Sequence, residues 1–255
     1  MRNPHHILIT GASSGIGAAL ALRYSAPGIV LVLSGRNAER LEDVAAACRA
    51  KGAVVQDRVI DVQDQSKMAA WIVEADQHYP LDLVIANAGI SGGTAGVMHH
   101  EPMDQVRRIF DINLYGVLNT IEPVIPLMIA RGRGQVAIIS SLAGFRGWPG
   151  APAYSASKGA VRFYGEALRG ALRHTGVAVN VVCPGFIVSR MTDANQFSMP
   201  FLMDTDKAAS IIVRGLSKNK GRIAFPWPTH AVSWLMSVLP DWLVQNILIQ
   251  LPKKQ

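Results

Sequence analysis

The chain has 255 residues, 49% apolar and 17% charged, a core-rich mix that excludes a disordered chain. Lys and Arg number 25 against 18 Asp and Glu, and no basic run exceeds Lys253-Lys254, so the +7 surplus lacks the concentration of a dedicated nucleic-acid binder. Cys48 and Cys183 make neither a disulfide framework nor a zinc site by themselves. The first residues hold no apolar signal core, and no stretch of eighteen residues is free of polar interruption, so neither a secretory signal nor a spanning helix is expected. The expected compartment is cytoplasmic.

No repeat of fixed period is present. Short apolar runs alternate with longer helical segments. In chain order the expected strands are 7–9, 29–33, 54–60, 81–85, 136–139, 177–182 and 222–225. Crossover helices are expected at 15–25, 38–51, 65–79, 104–131 and 152–174. Several strands lack polar alternation, as strands do in a parallel sheet covered by helices on both faces. The fold class is therefore α/β, a single-domain Rossmann-like doubly wound sheet of about seven mainly parallel strands. No Pro/Gly/Ser-rich linker divides the chain, so 1–255 reads as one domain, with a substrate lid at 186–207 and an apolar helical extension at 226–255.

Directly after the first strand stands Thr10-Gly-Ala-Ser-Ser-Gly-Ile-Gly17, a G-x-x-x-G-x-G spacing with glycines at 11, 15 and 17. Such a turn lets backbone N–H groups approach a pyrophosphate, and the helix that follows points its positive end at the anion. A Gly-rich turn alone also fits a tight loop. Its place after the first strand of an α/β chain favours dinucleotide binding. The second strand ends in Ser34-Gly35-Arg36, with no carboxylate before Glu39. An acidic residue at that tip would bind a ribose 2′-hydroxyl, whereas arginine suits a 2′-phosphate, so NADP(H) is favoured over NAD(H). The plainer alternative makes Arg36 a solvated residue at a helix start. Ser34 and Arg40 are placed to assist.

Tyr154-Ser-Ala-Ser-Lys158 lies near the start of an expected helix, and the four-residue spacing puts both side chains on one face. A nearby ammonium favours phenolate, which would bring Tyr154 nearer to neutral titration as a proton donor to a carbonyl or acceptor from an alcohol. Ser141 ends the fifth strand, at the carboxyl edge where open sheets bind ligands. A lone Y-x-x-x-K arises often by chance; together with the glycine turn and Ser141 it does not.

On these residues the sequence resembles the short-chain dehydrogenase/reductase family, over roughly 5–190 and more weakly to about 226. The resemblance implies a Ser-Tyr-Lys-Asn mechanism with Ser141, Tyr154, Lys158 and Asn113. Ser141 would polarise the substrate carbonyl and Tyr154 exchange the proton. Lys158 would hold the nicotinamide ribose and lower the Tyr154 pKa. Asn113 would anchor a relay water and fix the backbone. It further implies cofactor contacts from Gly11, Ser13, Ser14, Gly15, Ile16 and Gly17. Asp61, with Val62 beside it, would meet the adenine amino group. Asn87-Ala88-Gly89 would steady the central sheet and line the cofactor. Pro184, Gly185 and Ile187 would meet the carboxamide with Ser189, which replaces the family's frequent threonine and keeps its hydroxyl. Bland readings exist for single positions. Asp61 also reads as a strand-end cap for the helix beginning near Asp64, Asn87 and Asn113 as groups that satisfy the backbone, and Cys183 as a small buried hydrophobe. His99-His100 lacks further ligands at fitting spacing, so no metal is expected.

In the lid, Met191, Phe197, Met199, Phe201, Leu202 and Met203 read either as a cover over an apolar substrate or as packing against the body. In the tail, Val232, Leu235, Met236 and Leu239 make one helical stripe, and Leu243, Val244, Ile247, Leu248 and Leu251 a second after Pro240. The tail would cover the pocket or body, build an oligomer interface, or lie on a membrane surface. Its polar face is poor in Lys and Arg, which disfavours the membrane. The expected activity is NADP(H)-dependent interconversion of an apolar ketone or aldehyde with an alcohol, by a homodimer or homotetramer paired through the helices near 104–131 and 153–174. The alternatives are a regulatory or scaffolding dinucleotide binder of the same fold and a membrane-surface reductase acting on lipid. A nucleotide-sugar epimerase would need a larger C-terminal domain.

Overall fold

Seven parallel strands form one sheet in the order β3-β2-β1-β4-β5-β6-β7. They are β1 (His6–Ile9), β2 (Val30–Gly35), β3 (Val54–Val59), β4 (Leu83–Ala86), β5 (Gly134–Ile139), β6 (Val177–Pro184) and β7 (Arg222–Phe225). The computed structural model describes residues 3–94, 100–193 and 199–248. Between the strands run α1 (Gly15–Tyr24), α2 (Ala38–Ala50), α3 (Gln65–His78), α4 (Met103–Phe110), α5 (Gly116–Ile121), α6 (Ile125–Arg131), α7 (Pro152–Ala171), α8 (Arg190–Asp193) and α9 (Thr205–Ser217). The helices α10 (Trp227–Val238) and α11 (Asp241–Leu248) follow β7.

The apolar runs explain the sheet. Successive side chains point to opposite faces, and in β1 and β2 both faces are buried. Ile7, Ile9, Leu31 and Leu33 enter one core layer, while Leu8, Val30 and Val32 enter the other. The edge strand β3 is the most open to solvent, with Val54 and Val59 exposed. Register is in step across the centre, with Leu8 opposite Val32 on one side and Val84 on the other. The chain reverses its direction of travel through the sheet between β1 and β4, and a crevice opens there at the carboxyl ends.

The single helix expected over 104–131 is three. A π-helical turn (Asp111–Tyr115) separates α4 from α5, and Glu122–Val124 is non-helical before α6. Two causes are visible. Pro123 and Pro126 deny the helix two N–H donors, and the Asn113 amide is bound crosswise to the backbone of Ile90. Met103–Arg131 is long and apolar enough in composition to cross a bilayer, contrary to the sequence expectation, yet half of its apolar window is buried inside the fold. The tail also departs from expectation. No residue of α10 is buried. The stripe divides: Val232 and Met236 face a cavity, while Leu235 is exposed and Leu239 half-buried. In α11 Val244 is buried; Leu251 lies outside the described residues, as do Phe197 of the lid and His99.

Candidate active site

The crevice is a cavity of about 780 Å³ above the carboxyl ends of the strands. Its first wall is the glycine turn. Gly11 and Gly15 have φ of +66° and +55°, backbone that favours glycine. Gly17 is not at the surface of the cavity but beneath it: a Cβ there would lie 2.4 Å from the Gly11 oxygen and 2.5 Å from Asn87 Nδ2. Asn87 braces the turn, its Nδ2 donating to the oxygens of Thr10 (2.9 Å) and Gly11 (3.1 Å). The backbone N–H groups of Asn87 and Ala88 in turn donate to Thr10 Oγ1. Gly11, Ser13, Ser14, Gly15, Ile16, Asn87, Ala88 and Gly89 all line the cavity. Ser14 makes no capping bond to α1, although it holds the N-cap position.

At the tip of β2, Ser34, Arg36, Asn37 and Arg40 close the cavity's end. Asn37 caps α2 by accepting from the Arg40 N–H at 2.8 Å. That leaves Ser34 Oγ and Arg40 Nε buried without a hydrogen-bond partner among the described residues. Such orphans are costly unless a ligand supplies the missing acceptor. Val62 lines the cavity, but Asp61 does not. The Asp61 carboxylate accepts instead from the backbone N–H and the side-chain Nε2 of Gln63, both at 3.0 Å. It is not a helix cap either, because Asp64 caps α3.

Ser141, Tyr154 and Lys158 sit midway along the edge. Ser141 follows β5, accepting from the Ala143 N–H at 3.1 Å, with its Oγ 3.5 Å from the Pro184 oxygen. Tyr154 and Ser141 share a side-chain hydrogen bond. Lys158, one helical turn on, is buried and donates to the Ile139 oxygen at 3.0 Å. Burial raises the Tyr154 pKa, and the Ser141 bond opposes that. Lys158 Nζ stands 6.0 Å from the Tyr154 ring centre and donates to a carbonyl, and the direction of the phenol's shift is upward, set by burial. Burial also lowers Lys158 itself to about 8. Asn113 is fully buried and lies behind the cavity wall. Its Oδ1 accepts from the Ile90 N–H at 2.8 Å, and its Nδ2 donates to the Ile90 oxygen and to Ser157 Oγ.

Two contributors escaped sequence reasoning. Glu101 is buried, and its Oε2 accepts from the Ala153 N–H at 2.7 Å, which caps the helix that carries Tyr154 from 52 residues away. Arg146 lines the cavity and pairs with Asp241 at the start of α11. No local pattern marks either one, because both act across the fold. Pro184, Gly185, Ile187 and Ser189 line the opposite wall, where Ile187 pairs with Met203 in a parallel bridge that ties down the base of the lid. Among the described residues no group of three His, Cys, Asp or Glu side chains is placed to hold a metal.

A family model described as short chain dehydrogenase matches residues 5–198. An uncharacterized oxidoreductase of Myxococcus xanthus is 39% identical over 92% of each chain. The 2-(R)-hydroxypropyl-CoM dehydrogenase of Xanthobacter autotrophicus is 35% identical over 72% of this chain and 75% of its own. Among solved structures, a short-chain dehydrogenase from Sphingobium yanoikuyae in complex with NADPH superposes with a TM-score of 0.80 at 26% identity, covering 98% of this chain and 97% of that one. The chain belongs to the short-chain dehydrogenase family and is an oxidoreductase of that family.

Proposed function

We propose that the protein is an NADP(H)-dependent oxidoreductase that interconverts a ketone or aldehyde with an alcohol, Tyr154 exchanging the proton. The observation that carries this reading is the meeting of Ser141, Tyr154 and Lys158 in one cavity with the glycine turn. The turn has the form a pyrophosphate requires, with no room for a Cβ at Gly11 or Gly17. When bound, the nicotinamide supplies or takes up the hydride. The residues supply the rest. The Ser141 hydroxyl, held by the Ala143 N–H and with only a long 3.5 Å bond to the Pro184 oxygen, can turn its hydrogen to the substrate oxygen. Tyr154, held protonated by burial, gives its proton to that oxygen in reduction and accepts one in oxidation. Lys158 brings a positive charge and further donors to the same wall. Asn113 holds the Ile90 backbone and Ser157 in place behind them.

NADP(H) is favoured over NAD(H) by the end of the cavity at β2. Ser34 Oγ and Arg40 Nε lack partners there, Arg36 adds a second guanidinium, and a 2′-phosphate would satisfy all three. The relative from Sphingobium yanoikuyae, in complex with NADPH, supports the same choice. A homo-oligomer is supported by Met103, Tyr115, Ile129 and Phe163, large apolar side chains left exposed on the helices expected to pair.

The test is a calorimetric titration of the protein with NADPH and NADH side by side, repeated with Arg36→Asp. NADPH binding at least tenfold tighter, with the preference lost in the variant, is expected from charge-assisted bonds of about 1.5–3 kcal/mol. Equal or NADH-preferring binding sinks the phosphate argument. Binding without turnover of any carbonyl compound leaves a dinucleotide-binding scaffold.

A further inference from the structure

The glycine-turn and Ser141 walls of the cavity belong to strands β1 to β6, the loops that follow them and helices α1, α2 and α7. One wall does not. Val232, Ser233 and Met236 of α10 line the same cavity. They fall at i, i+1 and i+4, one face of the helix. The sheet order fixes where this face stands. Arg36 ends β2 near one side of the sheet, β7 is the far edge, and the reactive Ser141 follows β5 between them. The helix that follows β7 therefore lies on the side of Ser141 and Tyr154 away from the phosphate end. The lining includes the apolar side chains Leu142, Trp148, Phe186, Met191, Val232 and Met236, beside the polar Arg146, Arg190 and Ser233.

The helix is tied to the loop that carries Ser141. His230 stacks edge-on against Phe145 with ring centres 5.4 Å apart. Asp241, at the start of α11, pairs with Arg146, itself a lining residue. The outer face of α10 carries Trp234, Leu235 and Val238, all exposed, so the helix is not spending its apolar residues on the core.

We propose that α10 is the specificity wall of the substrate site. It accepts the apolar arm of a ketone or alcohol in a groove between Met191 of the lid and Met236, with Trp148 beside it, and the Arg146–Asp241 pair pins the wall at its working distance. The substrate class is thus a carbonyl compound with an extended apolar arm, an inference that rests on the carbonyl–alcohol reading above. Methionines on both sides suit arms of varied shape, because the thioether chain adapts its rotamers.

The experiment measures kcat/KM for a series of methyl ketones from 2-butanone to 2-decanone with NADPH, in the wild type, Met236→Trp, Met236→Ala and Trp234→Ala. It also measures calorimetric binding of 2-decanol to the NADPH-loaded protein. Full burial of each methylene in the wild type predicts a gain of about fourfold in kcat/KM. Met236→Trp fills the groove and is expected to lower the 2-decanone to 2-butanone ratio about tenfold, while Met236→Ala moves the optimum to bulkier ketones. Trp234→Ala, on the outer face, leaves the ratio where it was. Equal loss across the series in Met236→Trp, or no change, overturns the wall. The binding arm separates the two readings. If no ketone is turned over but 2-decanol binds the wild type and not Met236→Trp, the carbonyl reading fails and the wall stands. If 2-decanol binds both alike, or neither, the wall falls whatever the turnover.

Discussion

The two ends of the cavity are made of different material. At the β1–β2 end the glycine turn presents backbone and small side chains, with Arg36 and Arg40 beyond it, and approach is close at Gly11 and Gly35. A Cβ on Gly11 would come within 2.8 Å of the Ala88 Cα, and one on Gly35 within 3.0 Å of Ser13. At the β6–β7 end the walls are methionine, tryptophan and phenylalanine, and Val232 on the lining helix is 60% exposed. The first end leaves no room for a Cβ at Gly11 or Gly17. The second is shaped by volume and leaves room to differ. Tyr154, Ser141 and Lys158 stand at the join, so a substitution there acts on chemistry rather than on either fit.

The largest expected effect breaks the join and spares both ends. Tyr154→Phe removes the proton donor and should lower kcat by about 10³-fold, while NADPH affinity measured by calorimetry stays within threefold. Comparable loss of both would mean that Tyr154 shapes the site rather than reacting in it. Because burial raises the phenol's pKa, the acid form persists through neutral pH. Ketone reduction is therefore expected to hold its rate from pH 6 to 8 and alcohol oxidation to rise with pH, as paired pH–rate profiles will read out. Lys158→Met should also abolish turnover, yet it should not lower the melting temperature at pH 7. Burial brings this lysine to about 8, whereas the unfolded lysine titrates near 10.5, so between those values the unfolded chain binds the extra proton. Wild-type stability accordingly rises across that window, and below it the buried charge is a full cost. The advantage of the variant is largest at pH 7 and shrinks toward pH 10; a variant that melts lower at pH 7 contradicts the assignment.

The next effect tests the tight end. Gly17→Ala puts a Cβ against the Gly11 oxygen and the Asn87 amide, a clash worth about 1–3 kcal/mol. Dinucleotide affinity and melting temperature should fall together. The same substitution at Gly28, where a Cβ would meet nothing, serves as the control for space, although its φ of +84° carries its own strain.

The contrast also explains what the sequence could reveal. A cradle that forbids a Cβ must be written in glycines at fixed spacing, so Gly11, Gly15 and Gly17 announce themselves, and Tyr154 and Lys158 do so by sharing a helix face. The continuous apolar runs give the parallel sheet directly. The breaks in the helix over 104–131 were within reach through Pro123 and Pro126, but the π turn depends on Asn113 finding Ile90 across the fold. Asp61 has the type and place for the adenine contact the resemblance implies, and its carboxylate accepts from the neighbouring Gln63, which no spacing announces. A wall defined by volume has no spacing rule, which is why Val232 and Met236 read as one stripe with Leu235, although Leu235 faces outward.

Glu101 offers a smaller effect, on the placing of Tyr154. Its carboxylate caps α7 at Ala153, next to Tyr154. Glu101→Ala should cost about 0.5–2 kcal/mol of stability, the usual worth of a helix cap, and lower kcat more than it raises KM, because Tyr154 loses its fixed approach.

The smallest effect belongs to the loose end. Trp227 opens α10 with 77% of its surface exposed, whereas Trp71 on α3 is 4% exposed within the core layer that packs β1, β2 and β4. Size and chemistry are the same, so only the surroundings differ. Trp71→Ala should cost about 3–5 kcal/mol by leaving a cavity. Trp227→Ala should change stability by less than about 0.5 kcal/mol in urea titrations. A large loss from Trp227→Ala would mean that this face is covered in solution, and that α10 owes its position to a contact beyond its own chain rather than to Phe145 and Arg146.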